Sequence, residues 1–536
     1  MSLDALSKAN ITKFDIYSNA EGKKVDFKGG VVELSYYEDI MSPTIRISTG
    51  VIDTGRASSD NDGTKGQITA AESIKLTGME KCEIEMEDAV GQKLLIKDIH
   101  ISSRKRITEK FNDLEILEIV SKEHLRNESV RVVERYDGKI SDSIQKIIRT
   151  VLQSTKPLDI EVTQNERSFI GTTKKPFWFI TWLGTQSIPQ ANGKVGKTAG
   201  YLFYETHKGF KFKSIDTLMS ETSTSPSASG LKTKYKSYIY NNTTSSVIPV
   251  GYTGKILNYD SNYTSDMKDK LMMGVFNSSV NLFNSFESSF NCNPLNISSQ
   301  ESGITYAGTE YGKNLNSFFI KDVSRFFTSN ELIGSLTDIG KSKEYDMEKS
   351  KILSTSTSRY NQLFTNKVNI TIPADFSLEA GEMIFIDIPE QSSKPNPTYN
   401  ERMSGVYMIS ALCHRITPGK GTDGFQAITS LELTRDSYGR KPNSTASLDA
   451  GNQEAPVGSI IQTSSTSSPS DSRGVTDRDI ADALNAEVDL FESQAAAAQA
   501  EYEYAKSVED AINLGVDPSE IEGIEPGTTA SDYLGL

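Results

Sequence analysis

Cysteine is scarce in this chain of 536 residues. Cys82, Cys292 and Cys413 are odd in number and far apart, and no two cysteines form a CxxC pair. Zinc ribbons and disulfide frameworks need closely spaced or paired cysteines. The sequence therefore argues against both and favours a reducing compartment.

Long apolar runs are also missing. No stretch approaches the ~18 apolar residues of a membrane-spanning helix. The N-terminal residues MSLDALSKANITKFDIY lack a basic segment followed by an apolar one. We therefore expect neither a membrane segment nor a secretory signal peptide.

The apolar content is low, at 36% of the residues, below the usual fraction for a single compact enzyme. In its place the chain has 22 tyrosines and 22 phenylalanines, which supply large apolar area to strand surfaces. The length suffices for several domains of about 100–200 residues each. These features predict a β-dominated α+β protein with several domains.

The formal net charge of −14 is unevenly distributed. Residues 476–536 contain 15 acidic and 2 basic side chains, a net charge of −13, so the first 475 residues carry about −1. A nucleic-acid-binding protein usually has a basic face. A nearly neutral body argues against that class and favours surfaces that contact other proteins.

Residues 1–110 alternate between β-prone stretches and polar turns, which predicts a first β-barrel domain. The predicted strands are Phe14–Tyr17, Gly30–Tyr37, Pro43–Val51, Glu72–Leu76, Lys81–Glu87 and Lys93–Ile101, with a polar loop between Gly55 and Gln67. In the fifth strand Glu83, Glu85 and Glu87 alternate with apolar residues, so they should face solvent.

Residues 111–200 mix strand and helix patterns and predict an intermediate domain. Asp113–Ser121 resembles a strand, and Ile140–Leu152 has apolar residues at helical spacing. Pro176–Leu183 should form a second helix, with Trp178 and Trp182 one turn apart. Packing in a core explains these tryptophans better than a sugar-stacking platform.

Residues 201–240 are assigned to the second barrel. Their main feature is the hairpin within Gly200–Leu218, which turns at Gly209. Residues 241–342 are rich in serine and asparagine and are interpreted as an inserted region with a short helix near Asp266–Met273.

Residues 343–440 should contain a helix ending near Leu363 and then a second β-barrel domain. Its predicted strands are Lys367–Ile372, Glu382–Ile388, Gly405–Ser410 and Ala427–Thr434. Residues 441–475 contain 12 serines or threonines in 35 positions, which indicates a flexible linker. Residues 476–536 form an acidic extension with apolar residues at helical steps. A docked or self-associated helix and a solvated tail are both open for it.

Two short motifs resemble ligand loops. Ala191–Thr198 (ANGKVGKT) matches a relaxed phosphate-binding loop, but a strand pattern follows it where such a loop needs a helix. Asp60–Gly63 (DNDG) resembles the start of a calcium loop, but Ala71 occupies the position of the bidentate glutamate. Both are interpreted as ordinary loops.

Catalytic residues are not indicated by any other pattern. The four histidines, His100, His124, His207 and His414, form neither an HExxH nor another known motif, and there is no GxSxG. His414 is interpreted as structural. We therefore assign no catalytic, cofactor-binding or metal-binding residue and expect a protein without enzymatic activity and without cofactors.

Three segments near residue 400 resemble the second tube-forming domain of phage baseplate hub proteins. They are Gly381–Pro389 (GEMIFIDIP), Ser404–Ile416 (SGVYMISALCHRI) and Leu431–Asp436 (LELTRD). The two predicted helices and the hairpin of the middle region also follow the order of that family. The resemblance covers roughly residues 10–440, and we place it with the central hub of T-even-type contractile-tailed phages, related to the hubs of contractile injection systems.

This resemblance implies a structural role and a set of partners. Two tube-forming antiparallel β-barrels in one chain would let a homotrimer present six units, joining the hexameric tail tube or its initiator protein to the trimeric central spike. Baseplate wedge proteins would be neighbours, and tape measure protein and DNA would pass through the channel without specific binding. The location implied is the virion, after assembly in the host cytoplasm.

Two alternatives remain open at the level of sequence. One is a tail-associated cell-wall hydrolase, although no carboxylate pair stands out as catalytic. The other is the hub of a contractile injection system that is not a phage. The resemblance ends near residue 440, so it implies nothing for the acidic extension.

Overall fold

The computed structural model describes most of the chain up to residue 439. The described residues are 8–19, 23–53, 70–109, 112–190, 198–220, 235–240, 254–260, 267–284, 289–296, 306–308, 316–329, 342–390, 399–400, 402–419 and 424–439. All of them belong to the first of two units, Met1–Gln453. The calcium-like loop, the linker and the acidic extension lie outside the described residues.

Strands dominate the described part of the chain, as predicted. They are β1 (Lys8–Tyr17), β2 (Lys24–Asp26), β3 (Val31–Asp39), β4 (Arg46–Asp53), β5 (Lys81–Asp88), β6 (Lys93–Glu109), β7 (Asn112–Ser121), β8 (Arg135–Tyr136), β9 (Leu158–Ile160), β10 (Phe169–Ile170), β11 (Tyr201–Thr206), β12 (Gly209–Ser214), β13 (Lys236–Ile239), β14 (Asn258–Asp260), β15 (Asn277–Asn284), β16 (Ser289–Asn296), β17 (Arg325–Ser329), β18 (Asn366–Pro373), β19 (Met383–Asp387), β20 (Gly405–Pro418) and β21 (Phe425–Arg435).

The described helices are mostly short. They are α1 (Ala70–Ser73), α2 (Lys122–Ser129), α3 (Ile140–Lys146), α4 (Pro176–Gln186), α5 (Ile215–Ser220), α6 (Met267–Met272), α7 (Ser317–Ile320) and α8 (Ser342–Leu363). Helix α3 continues into a π-helical turn, Ile147–Val151. The helices predicted in the middle region, near residue 270 and before residue 363 are therefore all confirmed.

Thirteen strands belong to one large mixed sheet. Six strands from the first part of the chain pair in the order β1-β5-β6-β7-β4-β3, and we call them the N-terminal set. Six from the later part pair in the order β13-β19-β20-β21-β18-β14, and we call them the C-terminal set. β2 is an extra strand on β1.

The two sets have the same topology. Numbered along the chain within each set, the strands pair in the order first, fourth, fifth, sixth, third, second. Four of the five neighbouring pairs are antiparallel in both sets. The fifth pair differs, because β1 is antiparallel to β5 whereas β13 is parallel to β19.

One hydrophobic core runs through both sets. Phe14 and Leu34 of the N-terminal set belong to the same buried cluster as Ile384 and Leu431 of the C-terminal set. Strand β5 shows the underlying pattern, because Cys82, Ile84 and Met86 are buried while the glutamates between them are partly exposed. The predicted solvent-facing side of this strand is thus confirmed.

The middle region has a core of its own. Helices α3 and α4 bury Ile144, Phe177 and Leu183 against Phe212 of β12. The hairpin β11–β12 pairs with β9 in a separate three-stranded sheet. The hairpin was assigned to the second barrel, but its strands pair with β9 and not with the large sheet. It still contacts that sheet through Leu202 and Tyr204 of β11, which share a buried cluster with Phe385 and Met408.

Two further differences concern element type and length. Glu72–Leu76 was predicted as a strand, but α1 ends at Ser73 and the chain then turns, with Leu76 N–H donating to Ala71 O. Ala70 and Ala71 favour helix and are buried. Strand β20 extends to Pro418, well beyond the predicted Ser410, because its second half pairs with β3.

The inserted region adds a small sheet of its own. Its strands pair in the order β16-β15-β17, separate from the large sheet. Its face packs on α8, where the Ser358 hydroxyl donates to Val275 O at 2.9 Å.

Candidate functional site: the junction of the two strand sets

The hairpin β20–β21 joins the two strand sets. The outer edge of β20 pairs with β19 through residues 405–408 and with β3 through residues 411–416. The outer edge of β21 pairs with β18 over most of its length and with β1 at its first two residues. We call β20–β21 the bridging hairpin, because both sets share it.

A bulge marks the point where β20 changes partners. The register between β20 and β21 shifts between Ile409 and Ala411. A bulge bends a strand and increases its twist, and this one lies where pairing passes from β19 to β3. The long strand β6 has a comparable shift between Ile101 and Ser103.

Glu38 is a buried carboxylate at this junction. It accepts hydrogen bonds from the Tyr36 hydroxyl at 2.6 Å, the His207 N–H at 2.6 Å and the Ala380 N–H at 2.8 Å. One side chain of β3 thereby holds the β11–β12 turn and the loop before β19. No motif in the sequence singles out Glu38, although it shares one face of β3 with Leu34 and Tyr36 and all three are buried.

Arg359 of α8 forms a second buried tie. Its guanidinium lies 2.8 Å from the Asp216 carboxylate of α5 and 3.1 Å from that of Asp436, directly after β21. Burial alone would lower the pKa of Arg359, but the two carboxylates outweigh it and raise that pKa above its ordinary value. Asp436 also accepts from the Ala307 N–H at 3.0 Å.

Glu205 ties the N-terminal set to the middle region. The ammonium group of Lys156 lies 2.5 Å from Glu205 and 3.1 Å from Glu123. The Ile45 N–H also donates to Glu205, at 3.2 Å. Burial raises the pKa of Glu205. The Lys156 ammonium lowers this pKa, but by less than burial raises it. The carboxyl is therefore buried among partners that belong to the N-terminal set and to the middle region.

The arginine of the LELTRD motif, Arg435, has a structural role. It is fully buried, donates to Ser404 O at 3.0 Å and to Arg402 O, and lies over the Tyr407 ring at 4.5 Å from its centroid. Arg435 thus holds the start of β20, while its neighbour Asp436 holds Arg359. The third charged residue of the motif, Glu432, lies 3.6 Å from the Lys367 ammonium, so all three have partners within the fold.

Three of the four histidines, His124, His207 and His414, contact side chains of the fold. His414 is buried beside the Tyr36 and Phe376 rings, and its Nδ1 lies 2.8 Å from the Thr429 hydroxyl. Burial lowers the pKa of His414 to about 4. His124 contacts Thr44, and His207 contacts Glu38.

The two ligand-like loops give no site in the described residues. Of ANGKVGKT only Thr198 is described, and its hydroxyl donates to Asp216. The strand β11 follows at Tyr201, where a phosphate loop would need a helix. Of the twelve positions of the calcium-like pattern only Ala70 and Ala71 are described, and both are buried in α1.

The tryptophan pair departs from the expected core packing. The Trp182 ring contacts Phe169 and Phe179, whereas 49% of Trp178 is exposed. The two indole rings are nearly parallel, at an angle of 6° and a centroid distance of 6.1 Å. The pair therefore extends from the core of the middle region to its surface.

Metal-binding groups and membrane helices are not found in the part of the chain that the structure describes. No three His, Cys, Asp or Glu side chains there converge as metal ligands. No helix in the described ranges is long and apolar enough to cross a bilayer. The three cysteines form no disulfide.

The chemistry of the junction is that of a rigid connection. Its buried carboxylates each accept several hydrogen bonds or pair with a buried cation, and such satisfied networks fix one arrangement of the elements around them.

Comparison with known proteins gives similarity to solved structures only, at low sequence identity. No protein-family model matches the chain, and no curated protein matches it.

Among solved structures, the chain is similar to the tail protein from Neisseria meningitidis MC58, with 11% identity, a TM-score of 0.42, and coverage of 80% of this chain and 98% of that one. It is similar to the prophage MuSo2 43 kDa tail protein from Shewanella oneidensis, with 10% identity, a TM-score of 0.41 and coverage of 79% and 98%. The E. coli c3393 protein, a component of the type VI secretion system, shows 9% identity, a TM-score of 0.35 and coverage of 81% and 79%.

Proposed function

We propose that this chain is a structural subunit of a contractile tail, at the hub of a phage baseplate. The observation that carries the proposal is the repeated topology, in which two six-strand sets of one chain share the bridging hairpin. The order of the motifs along residues 10–440 supports the same assignment.

The two sets are proposed to be the two tube-forming barrels. β1 pairs with β21, β21 pairs with β20, and β20 pairs with β3. The bridging hairpin therefore connects the two ends of the N-terminal set. In the C-terminal set, Ile239 at the end of β13 bridges to Lys255, just before β14. Sheets that return on themselves leave few open edges to aggregate.

A repeated unit within the chain solves a symmetry problem. Three chains with two similar units each would form a ring of six units, which can face a hexameric tail tube. The same ring has true threefold symmetry and can face a trimeric central spike. We therefore propose a homotrimer that adapts the tube or its initiator to the spike, with wedge proteins around it.

The charge of the body suits a channel protein. The first 475 residues carry a net charge of about −1, whereas a strongly basic bore would hold the phosphates of passing DNA. We propose that tape measure protein and DNA pass through without specific binding, and that the protein is located in the virion after assembly in the host cytoplasm. No catalytic role is proposed.

The mass of the assembled chain tests the proposal. Three chains of 59.0 kDa should give about 177 kDa by light scattering after size exclusion, and electron-microscopic class averages should show a ring with six lobes. Co-expression with a trimeric central spike protein of a contractile tail should give a 3:3 complex.

Two outcomes would count against the hub. A monomer that binds no tail protein would remove the basis of the ring. Release of soluble fragments from peptidoglycan by the purified chain would favour the cell-wall hydrolase instead.

A further inference from the structure

The chain has only two tryptophans, and both lie on one surface of α4. Tryptophan is highly buried on average, so the 49% exposure of Trp178 is unusual. Trp182 packs edge-on against Phe169 and Phe179 in the core of the middle region. Because the two indoles are stacked, the core holds Trp182 and Trp182 in turn supports Trp178.

Two cations accompany the indole rings. The Lys174 ammonium lies over Trp178 at 5.6 Å from the ring centroid, and the Arg167 guanidinium lies over Trp182 at 4.7 Å. Arg167 donates to the Gln186 side chain at 2.9 Å. Within the described residues, neither cation forms an ion pair with a carboxylate.

Several other basic side chains of this region differ in this respect. Arg135 pairs with Asp137 at 2.8 Å, Lys146 pairs with Glu134 at 3.0 Å, and Lys175 pairs with Glu128. Arg126, Arg131 and Arg149 donate instead to backbone carbonyls. The two cations at the indole rings are therefore among those that no carboxylate balances.

We propose that Trp178, Trp182, Lys174 and Arg167, the tryptophan patch, bind an acidic segment of a partner protein. Tryptophan and arginine are the residues that most often dominate protein interfaces. The two unbalanced cations call for carboxylates in the partner, and the exposed indole calls for an apolar or aromatic side chain beside them. The proposal goes beyond the hub assignment and does not depend on it.

Other ligand classes suit the patch less well. A nucleic-acid strand would bring its phosphates close to Glu128, Glu134 and Asp137, which balance the neighbouring basic residues. A sugar would have to stack on Trp178, where Lys174 already lies over the ring. A carboxylate needs only the two cations. Each cation lies within about 6 Å of an indole ring, and it can contact a carboxylate while it remains over that ring.

Tryptophan fluorescence provides a direct test, because every tryptophan of the full chain lies in the patch. The probe is a short synthetic peptide of repeated Glu-Glu-Phe, compared with a Gln-Gln-Phe peptide of the same length. We expect the acidic peptide to change the emission and to bind about tenfold more tightly than the neutral one, with an affinity that falls as salt rises.

Three variants of the full chain locate the binding. Trp178→Ala should weaken binding by about thirtyfold, with Trp182 as the remaining reporter, since hot-spot truncations cost at least that much. Lys174→Gln should weaken it up to about fivefold, the range of an exposed ion pair. Lys175→Gln is the matched control, because that lysine already has a partner, and it should bind like the natural chain. Circular dichroism should be the same for all three.

Several results would overturn the proposal. They are equal affinity for the two peptides, no change in emission with the acidic one, or Lys174→Gln binding as tightly as Lys175→Gln. Tighter binding of a single-stranded oligonucleotide, a maltooligosaccharide or phosphatidylserine vesicles than of the acidic peptide would assign the patch to another ligand class.

Discussion

Arg359 shows how much one buried charge contributes when its partners depend on it. Replacing it with methionine keeps much of its length but leaves the Asp216 and Asp436 carboxylates buried without their cation. Breaking a buried pair in this way costs about 3–5 kcal/mol. We therefore expect Arg359→Met to lower the midpoint of thermal unfolding strongly.

Arg135 offers the matched control for this change. It also pairs with an aspartate, Asp137, but both are exposed. Exposed pairs contribute about 1 kcal/mol or less, so Arg135→Met should barely shift the midpoint. Equal shifts for the two variants, measured side by side by calorimetry, would contradict the role given to Arg359.

His414 predicts a dependence of stability on pH. Its pKa is lowered to about 4 in the fold by burial, against an ordinary value of about 6.5. The neutral form is favoured in the folded state, so its contribution is complete above pH 6.5 and is lost as the pH falls towards 4. The loss attributable to this residue amounts to about 3 kcal/mol at most.

Comparison with His414→Gln isolates this contribution. Glutamine can still bond the Thr429 hydroxyl but does not titrate. We expect the variant to be less stable at pH 7 and to lose less stability than the natural chain between pH 6.5 and 4, as measured by urea unfolding. Parallel pH curves for the two proteins would exclude His414 as the cause.

At the scale of elements, the turn before β19 depends on a glycine. Gly381 has a φ of +84°, its N–H donates to Ile409 O at 2.8 Å, and a Cβ there would lie 2.1 Å from the Tyr204 hydroxyl oxygen. The turn is thus held against the bulge of β20 and the hairpin β11–β12. Gly381→Ala should cost both backbone strain and a clash.

Gly91 separates these two costs. Its φ of +89° imposes similar strain, but the nearest atom to a new Cβ is 3.7 Å away. Gly91→Ala should cost about 1–2 kcal/mol, and Gly381→Ala about 1–3 kcal/mol more. Adding Tyr204→Phe to Gly381→Ala should recover part of the difference in thermal unfolding. No recovery would place the cost elsewhere.

Elements formed by interactions between neighbouring residues could be predicted from sequence, whereas elements formed by contacts between distant segments could not. Helix α4 was predicted because Pro176 and the apolar spacing are local signals, and β5 because Cys82, Ile84 and Met86 alternate with glutamates. The second half of β20 entered only through the family motif, because part of its pairing is with β3, more than 370 positions earlier, in addition to its pairing with β21. The hairpin β11–β12 was recognised, but its sheet is fixed by β9 and α4, which no local pattern reveals.

The candidate site was less predictable than the fold. Glu38, Arg359 and Lys156 resemble ordinary charged residues in sequence, and only the chain's folding back brings them to their buried partners. Asp436 and Arg435 entered through a family motif, without any indication of what they contact. Trp178 was expected in a core because it is one helical turn from Trp182. That spacing places both rings on one helix face but does not show whether the face is covered or exposed.

At the scale of the whole molecule, the charge distribution bears on the proposed trimer. Residues 1–475 carry about −1 and residues 476–536 carry −13. Three copies would bring three such acidic extensions into one assembly, and like charges oppose association. Contacts between the nearly neutral bodies should instead be insensitive to salt.

The salt dependence of the trimer mass therefore separates the two parts of the chain. The Debye length falls from about 30 Å at 0.01 M to about 3 Å at 1 M ionic strength, so salt screens the repulsion between extensions. We expect the full chain to dissociate at a higher protein concentration in low salt than in high salt, by light scattering. A chain ending at residue 475 should dissociate at the same concentration in both. If that shortened chain instead dissociates as salt rises, ion pairs hold the bodies together, and the salt-insensitive contacts expected between them are wrong.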